Sequence, residues 1–152
     1  TTLKITIIGN GGSGKSTLGN RLGIDLSIEV SHLDKISWQK DYKRLSEDYF
    51  VFMLNEVFNK DTWIIEGWAF QSTVYASLER SGVIIYLKYP LDFCMSEAIR
   101  RNREYHNKVY TFDPFEGDRN SKEGMLREAI MRVHAQHEPR LKIWLRDFKD
   151  AK

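Results

Sequence analysis

The chain alternates short apolar runs with amphipathic stretches. Leu3 to Ile8 is a mostly apolar, β-branched run, the pattern of a strand buried on both faces of a parallel sheet. A glycine-rich turn follows, and then a helix is expected from about Gly14 to Leu22, stopping near Gly23. Ser27 to His32 reads as a second strand, Thr62 to Glu66 as a third and Val83 to Lys88 as a fourth. Between the second and third, Ser46 can cap a helix whose first turn holds Glu47 and Asp48. Its apolar residues Phe50, Met53, Leu54, Val57 and Phe58 share one helical face. Leu91, Cys94, Met95, Ala98 and Ile99 repeat the same spacing after the fourth strand.

Residues 106–120 interrupt the periodicity with Asn, Asp, Pro and Gly, and are expected to form a loop. Ser121 is a candidate cap for a helix carrying Leu126, Ala129, Ile130 and Val133. Pro139 suits the first turn of a last helix or a kink in a longer one, with Leu141, Trp144, Leu145 and Phe148 as the buried stripe. Strands alternating with helices predict a three-layer α/β/α domain around a parallel sheet.

Composition sharpens this picture in a few places. With 152 residues, 41% apolar and 29% charged, the chain reads as a single globular domain over 1–152, not as a disordered, collagenous or disulfide-rich protein. No apolar run approaches the roughly 20 residues of a membrane helix, so no membrane partner is expected. The single cysteine, Cys94, and the lack of a signal-peptide pattern favour a cytoplasmic location. Net charge is only +2, which makes nucleic acid an unlikely partner. The charge is uneven, however. Residues 1–99 carry 10 basic and 12 acidic side chains, and residues 100–152 carry 13 and 9. That leaves a solvated helical surface or a cationic wall facing a polyanion as the two readings of the second half.

The strongest signal is Gly9-Asn10-Gly11-Gly12-Ser13-Gly14-Lys15-Ser16, a G-x-x-x-x-G-K-[ST] loop between a predicted strand and helix. Gly9, Gly11, Gly12 and Gly14 permit the tight backbone, and amides from Gly11 to Ser13 can approach a phosphate. The helix beginning at the loop adds its positive end. Lys15 places a cation on the β- and γ-phosphates, Ser16 offers a hydroxyl to Mg²⁺, and Thr17 can reach the α-phosphate. The pattern points to ATP or GTP with Mg²⁺; it leaves open where the γ-phosphoryl group goes.

With that loop, the sequence resembles the P-loop kinases of the adenylate-kinase type. It is most similar to small bacterial adenylate-kinase-related or topology-modulation proteins. The resemblance rests on the loop itself, on His32-Leu33-Asp34 with Trp38, on Trp63-Ile64-Ile65-Glu66-Gly67, and on Tyr89-Pro90 followed by Cys94 and Arg101. It implies a phosphotransferase with sheet order 2-3-1-4 and a lid at about 106–120. It places Glu66 beside Ser16 at Mg²⁺ and Arg101 on nucleotide phosphate. Asp34 would contact the acceptor hydroxyl as its base, with Trp38, Gly67 and Trp68 lining the acceptor site. Packing anchors are the equal alternative for the two tryptophans, and His32 reads as structural.

Several positions depart from that family. The stretch Trp68-Ala69-Phe70-Gln71-Ser72 lacks the arginine that grips an acceptor phosphate, and Arg80 is the nearest in sequence. Glu97 replaces a further arginine, either opposing phosphate or pairing with a neighbour. Arg119, Arg127, Arg132 and Arg140 are further candidates to turn inward on closure. His134 and His137 share a helix face but make a weak metal signal, which was set aside. Relatives carry a fifth strand after the last helix, and here it is either absent or trimmed from this sequence; the edge beside strand four is then a candidate homodimer contact. The leading expectation is ATP-dependent phosphoryl transfer to a small molecule, with a nucleotide or nucleoside as candidate acceptor. The alternative is a nucleotide-sensing or regulatory P-loop ATPase with little kinase activity, with nucleic acid as its candidate associate.

Overall fold

The computed structural model describes residues 2–37, 46–105 and 119–148. Its elements in chain order are β1 (Leu3–Gly9), α1 (Lys15–Leu26), β2 (Val30–His32), α2 (Leu33–Ser37), α3 (Glu47–Phe58), β3 (Thr62–Glu66), α4 (Gln71–Arg80), β4 (Val83–Leu87), α5 (Leu91–Tyr105), α6 (Arg119–Arg132), a π-helical turn (Val133–His137) and α7 (Glu138–Phe148). The four strands are all parallel and lie in the order β2-β3-β1-β4, as expected. Trp38 and residues 106–118 of the expected lid lie outside the described residues.

Parallel registry sorts the side chains between two faces. Thr6 lies opposite Ile65 and Ile84, while Ile7 lies opposite Glu66 and Ile85. On one face, Ile8 packs with Val74 and Leu78 of α4 and Leu141 of α7, and Trp63 and Ile65 pack with Phe50 and Leu54 of α3. On the other, Ile5, Ile7 and Ile64 meet Leu18 and Leu22 of α1. Burying both faces explains why the strands read as apolar runs without alternation. All chain directions agree, so β1, β2 and β3 deliver their C-terminal residues to one edge, where α1, α2 and α4 begin.

Three expectations change, and one helix, α4, is additional to those expected. Helix α1 does not stop at Gly23 but continues to Leu26 and closes on Ser27, which adopts a left-handed conformation. Gly23 is needed for proximity instead: a Cβ there would lie 2.6 Å from Val30 Cγ2. The second strand accordingly starts at Val30, not Ser27. Helix α4 carries too few apolar residues to show a stripe. Its sheet-facing positions include Thr73 and Ser77, whose hydroxyls are satisfied within the helix. Thr6 Oγ1 and Ser81 Oγ then hydrogen-bond across to the strand at 2.5 Å. Finally, α6 is already helical at Arg119, so Ser121 lies inside it and not at its cap.

Of the two places expected for Pro139, the first turn of the last helix is the one observed. It sits in the first turn of α7, immediately after the π-helical turn. There the Glu138 amide bonds to the Val133 carbonyl, one residue further back than in an α-helix. Widening the preceding turn gives room for the proline ring, which would otherwise clash with the carbonyl four residues earlier.

The loop after β1 is packed too closely for side chains. At Gly12, φ is +76° and an added Cβ would lie 2.1 Å from the Cys94 carbonyl oxygen. Gly12→Ala is therefore expected to lower unfolding free energy by about 2 kcal/mol or more, combining backbone strain with steric displacement of α5. Chemical denaturation of the two proteins checks this, and a change within about 0.5 kcal/mol would contradict the packing.

Candidate nucleotide and acceptor site

The loop Gly9–Ser16 leaves the end of β1 and turns into α1. Gly12 and Gly14 both have positive φ, +76° and +90°, and the Ser13 amide closes a turn onto Asn10 O at 3.2 Å. Such a succession orients backbone N–H groups into one concavity suited to an anion. Lys15 is buried, and its Nζ donates to Asn10 O at 3.0 Å, so the cation lies across the loop. Asn10 is itself buried and tied on both sides. Its Oδ1 accepts from Gly11 N at 2.7 Å, and its Nδ2 donates to Ile130 O of α6 at 3.0 Å. The sequence pattern treats this position as variable, which is why it gave no signal there.

Ser16 and Glu66 come together as expected. Ser16 Oγ donates to Glu66 Oε1 at 2.8 Å, although 50 residues separate them. The Glu66 side chain is 1% exposed. Its Oε1 also accepts from His32 Nδ1, whose ring Nε2 lies 3.0 Å from Asn20 Oδ1. Its Oε2 is buried with no hydrogen-bond partner among the described residues. A buried carboxylate oxygen without a partner is costly, so this atom calls for a cation or an ordered water. The donor set, a serine hydroxyl and a carboxylate, matches the oxygen ligands and ordered waters that Mg²⁺ prefers.

Gly67 turns the chain away from β3 with φ +109°, and its amide donates to Ile7 O at 3.3 Å. The Asp34 carboxylate lies against it, 3.5 Å from where a Gly67 Cβ would be. Asp34 is exposed in the first turn of α2. Asp34, Gly67 and Glu66 thus occupy neighbouring positions along the edge. Trp68 is half-buried among Ile8, Val74 and Leu141, and its indole N–H donates to Gly9 O. It thereby anchors the phosphate loop, besides stacking on His137 with ring centroids 5.6 Å apart.

The stretch after Gly67 does have a cation beside it, supplied from elsewhere. Arg140 of α7 donates to Gln71 Oε1, and Gln71 Nε2 lies 3.0 Å from His137 Nδ1. Arg80, the nearest arginine in sequence, sits at the far end of α4 over the Phe58 ring. Only the π-helical turn and α7 bring His137 and Arg140 to the start of α4, a juxtaposition with no local sequence signal. Glu97 pairs with Arg100 at 2.8 Å, and that hydrogen bond holds its carboxyl below the usual range. Of its two readings, pairing is therefore the one observed. Arg101 is exposed beside it and makes no hydrogen bond or ion pair among the described residues. Arg127 lines a cleft with Arg100 and Arg103, and Asp34 is not part of its lining.

No family model matches the sequence, and no curated protein matches it. Solved structures do resemble the fold. A shikimate kinase from Bacteroides thetaiotaomicron is 19% identical with a TM-score of 0.54, over 88% of this chain and 80% of that one. A gluconokinase from Sinorhizobium meliloti 1021 is 15% identical with a TM-score of 0.51, over 89% and 78%. A shikimate kinase from Acinetobacter baumannii in complex with shikimate is 22% identical with a TM-score of 0.54, over 88% and 77%. The chain therefore has the P-loop kinase fold, in the form seen in shikimate kinase. Among the described residues, no helix is long and apolar enough to cross a membrane.

His137 carries a pH consequence. Burial, then Arg140 and Arg132, hold its pKa below the ordinary value of 6.5. The Gln71 amide that donates to Nδ1 likewise requires the neutral ring. A folded pKa below the unfolded one gives stability that is complete above 6.5 and is lost as pH falls through the folded value. His137→Gln is thus expected to flatten the fall in melting temperature between pH 7 and pH 5. An unchanged slope would remove His137 as its cause.

Proposed function

We propose that this chain is an ATP-dependent phosphotransferase that moves the γ-phosphoryl group to a hydroxyl of a small molecule. The observation that carries the reading is the convergence of Lys15, Ser16 and Glu66 at the sheet edge, with Asp34 beside them. In this reading the loop amides and Lys15 bind the β- and γ-phosphates, and Thr17 reaches the α-phosphate. Ser16 and Glu66 would hold Mg²⁺, Glu66 from the outer shell through water. The metal, when bound, supplies positive charge to the phosphate oxygens. Lys15 releases Asn10 O to reach the phosphates, and Ser16 turns its hydroxyl from Glu66.

Asp34 stands where an acceptor hydroxyl would enter, on the exposed side of Gly67. As a carboxylate it orients that hydroxyl and takes its proton as the O–P bond forms. Arg101 is an exposed cation on α5, the helix that backs the loop, and would contact phosphate oxygens on closure. At the opposite side, Arg140 has a neutral amide as its hydrogen-bond partner, so its charge is left for an anionic group on the acceptor. A hydroxyl compound bearing a carboxylate or phosphate fits this pairing. Nucleotides belong to that class. So do hydroxy acids of the kind named in the three similar structures, shikimate in two of them and gluconate through the gluconokinase.

A sensing module with little transfer would be favoured by a Glu97 that opposes phosphate and by the lack of an arginine after Gly67. Glu97 is neutralised by Arg100, and Arg140 stands near Gln71, so neither feature now argues against transfer. The test is ADP release from Mg-ATP with nucleosides, nucleoside monophosphates, shikimate, gluconate and neutral polyols as acceptors. Anionic hydroxyl compounds are expected to stimulate it. Stimulation by none, with ATP still bound, would return the sensing reading.

Two variants locate the chemistry. Lys15→Ala is expected to reduce turnover at least a hundredfold, with an unchanged far-ultraviolet circular dichroism spectrum. Near-normal turnover would refute the loop assignment. Asp34→Asn should leave the ATP dissociation constant within about twofold and reduce transfer by a factor in the range of about 10² to 10⁴. Undiminished transfer would leave Asp34 as an acid in the first turn of α2 and no more.

A further inference from the structure

His32 reads from sequence as a structural residue at a strand end, yet its ring is clamped between two side chains of different elements. Nδ1 meets Glu66 Oε1 and Nε2 lies 3.0 Å from Asn20 Oδ1. Asn20 is four residues beyond Ser16, on the same face of α1. Four side chains from α1, β2 and β3 therefore form one connected set: Asn20, His32, Glu66 and Ser16. A carboxylate oxygen accepts, so the hydrogen in the His32–Glu66 contact belongs to Nδ1. The Nε2 contact then forms with an imidazolium or with the Asn20 amide turned end for end. Either way the ring is held at both nitrogens.

The consequence lies at Glu66. Its carboxylate is 1% exposed, and a buried, singly held carboxylate could rotate or draw in water. His32 fixes Oε1, which leaves Oε2 as the oxygen with no partner among the described residues. When Ser16 turns its hydroxyl to a metal, His32 becomes the remaining donor that keeps Glu66 in place. We infer that His32, itself steadied by Asn20, is the positioning residue that aims Glu66 at the Mg²⁺ of a bound nucleotide. This rests on the nucleotide-binding reading above and adds to it a residue that the reading does not need. Outer partners of this kind typically change metal affinity about 10- to 100-fold when removed.

The test measures ATP binding by calorimetry, once with Mg²⁺ and once with EDTA. The quantity read is the gain in affinity that Mg²⁺ confers. His32→Ala is expected to cut that gain about tenfold while leaving affinity in EDTA unchanged. His32→Asn places its amide nitrogen where Nδ1 lies and should keep most of the gain. His32→Gln carries its nitrogen one bond further out and should not. Asn20→Ala, with the ring held at one end, should fall between. A wild-type gain in His32→Ala, or an equal loss of affinity in EDTA, would overturn the proposal. If His32→Ala does not fold, equal gains in the Asn and Gln variants would overturn it. A wild-type protein that binds ATP neither with Mg²⁺ nor in EDTA would sink the nucleotide reading itself, whereas one whose ATP binding ignores Mg²⁺ would overturn this proposal alone.

Discussion

A carboxylate that is 1% exposed must be compensated, and at Glu66 the compensation organises the whole sheet edge. The residue ends β3, which lies between β1 and β2. Its partners therefore come from both sides: Ser16 from the helix that follows β1, and His32 from the end of β2. Satisfying one buried charge thus fixes how far each strand extends before its helix departs. Replacing Glu66 by an apolar residue would remove the cost and the reason for this convergence together. The usual outcome of burying a polar network is weak net stability and strong geometric definition, and here the definition falls on the phosphate loop.

A second constraint comes from distance. The loop lies so close to α5 that Gly12 has no room for a Cβ, while Asn10 reaches α6 by a side-chain hydrogen bond. In sequence, α5 and α6 adjoin the lid expected at about 106–120. The loop therefore touches the helix before that stretch and the helix after it. Cys94 belongs to this contact: its backbone carbonyl faces Gly12, and burial pushes its thiol pKa up. Its role here is close packing, and a raised pKa makes the thiol unreactive.

The fold was legible because parallel strands buried on both faces leave continuous apolar runs, and because the loop Gly9–Ser16 marks the β1–α1 junction. Strand order followed from resemblance and was found as expected. Element boundaries were less legible where residues serve distance. Gly23 looked like a helix stop but is a contact point for Val30. Helix α4 was hidden because it approaches β1 through threonine and serine hydroxyls, which carry no hydrophobic periodicity. Within the site, Ser16, Glu66 and Gly67 stood out because motif and strand end coincide. Asn10, Asn20 and Gln71 did not, since each acts through a partner far away in sequence.

Arg140 shows the limit most plainly. Counting from Gly67, the chain lacks a cation, and in sequence that absence weakens the case for an anionic acceptor. In three dimensions α7 crosses back to α4, and Arg140 arrives beside Gln71 from 69 residues away. What determines this is the π-helical turn at Val133–His137, since adding one residue to a turn rotates everything after it by roughly 100°. Removing the extra residue would turn Arg140 away from Gln71 and redirect the stripe Leu141, Trp144 and Phe148 that packs against the sheet and α4. The buried stripe and the guanidinium are therefore oriented by the same turn. That links the packing of the last helix to the charge presented at the proposed acceptor side.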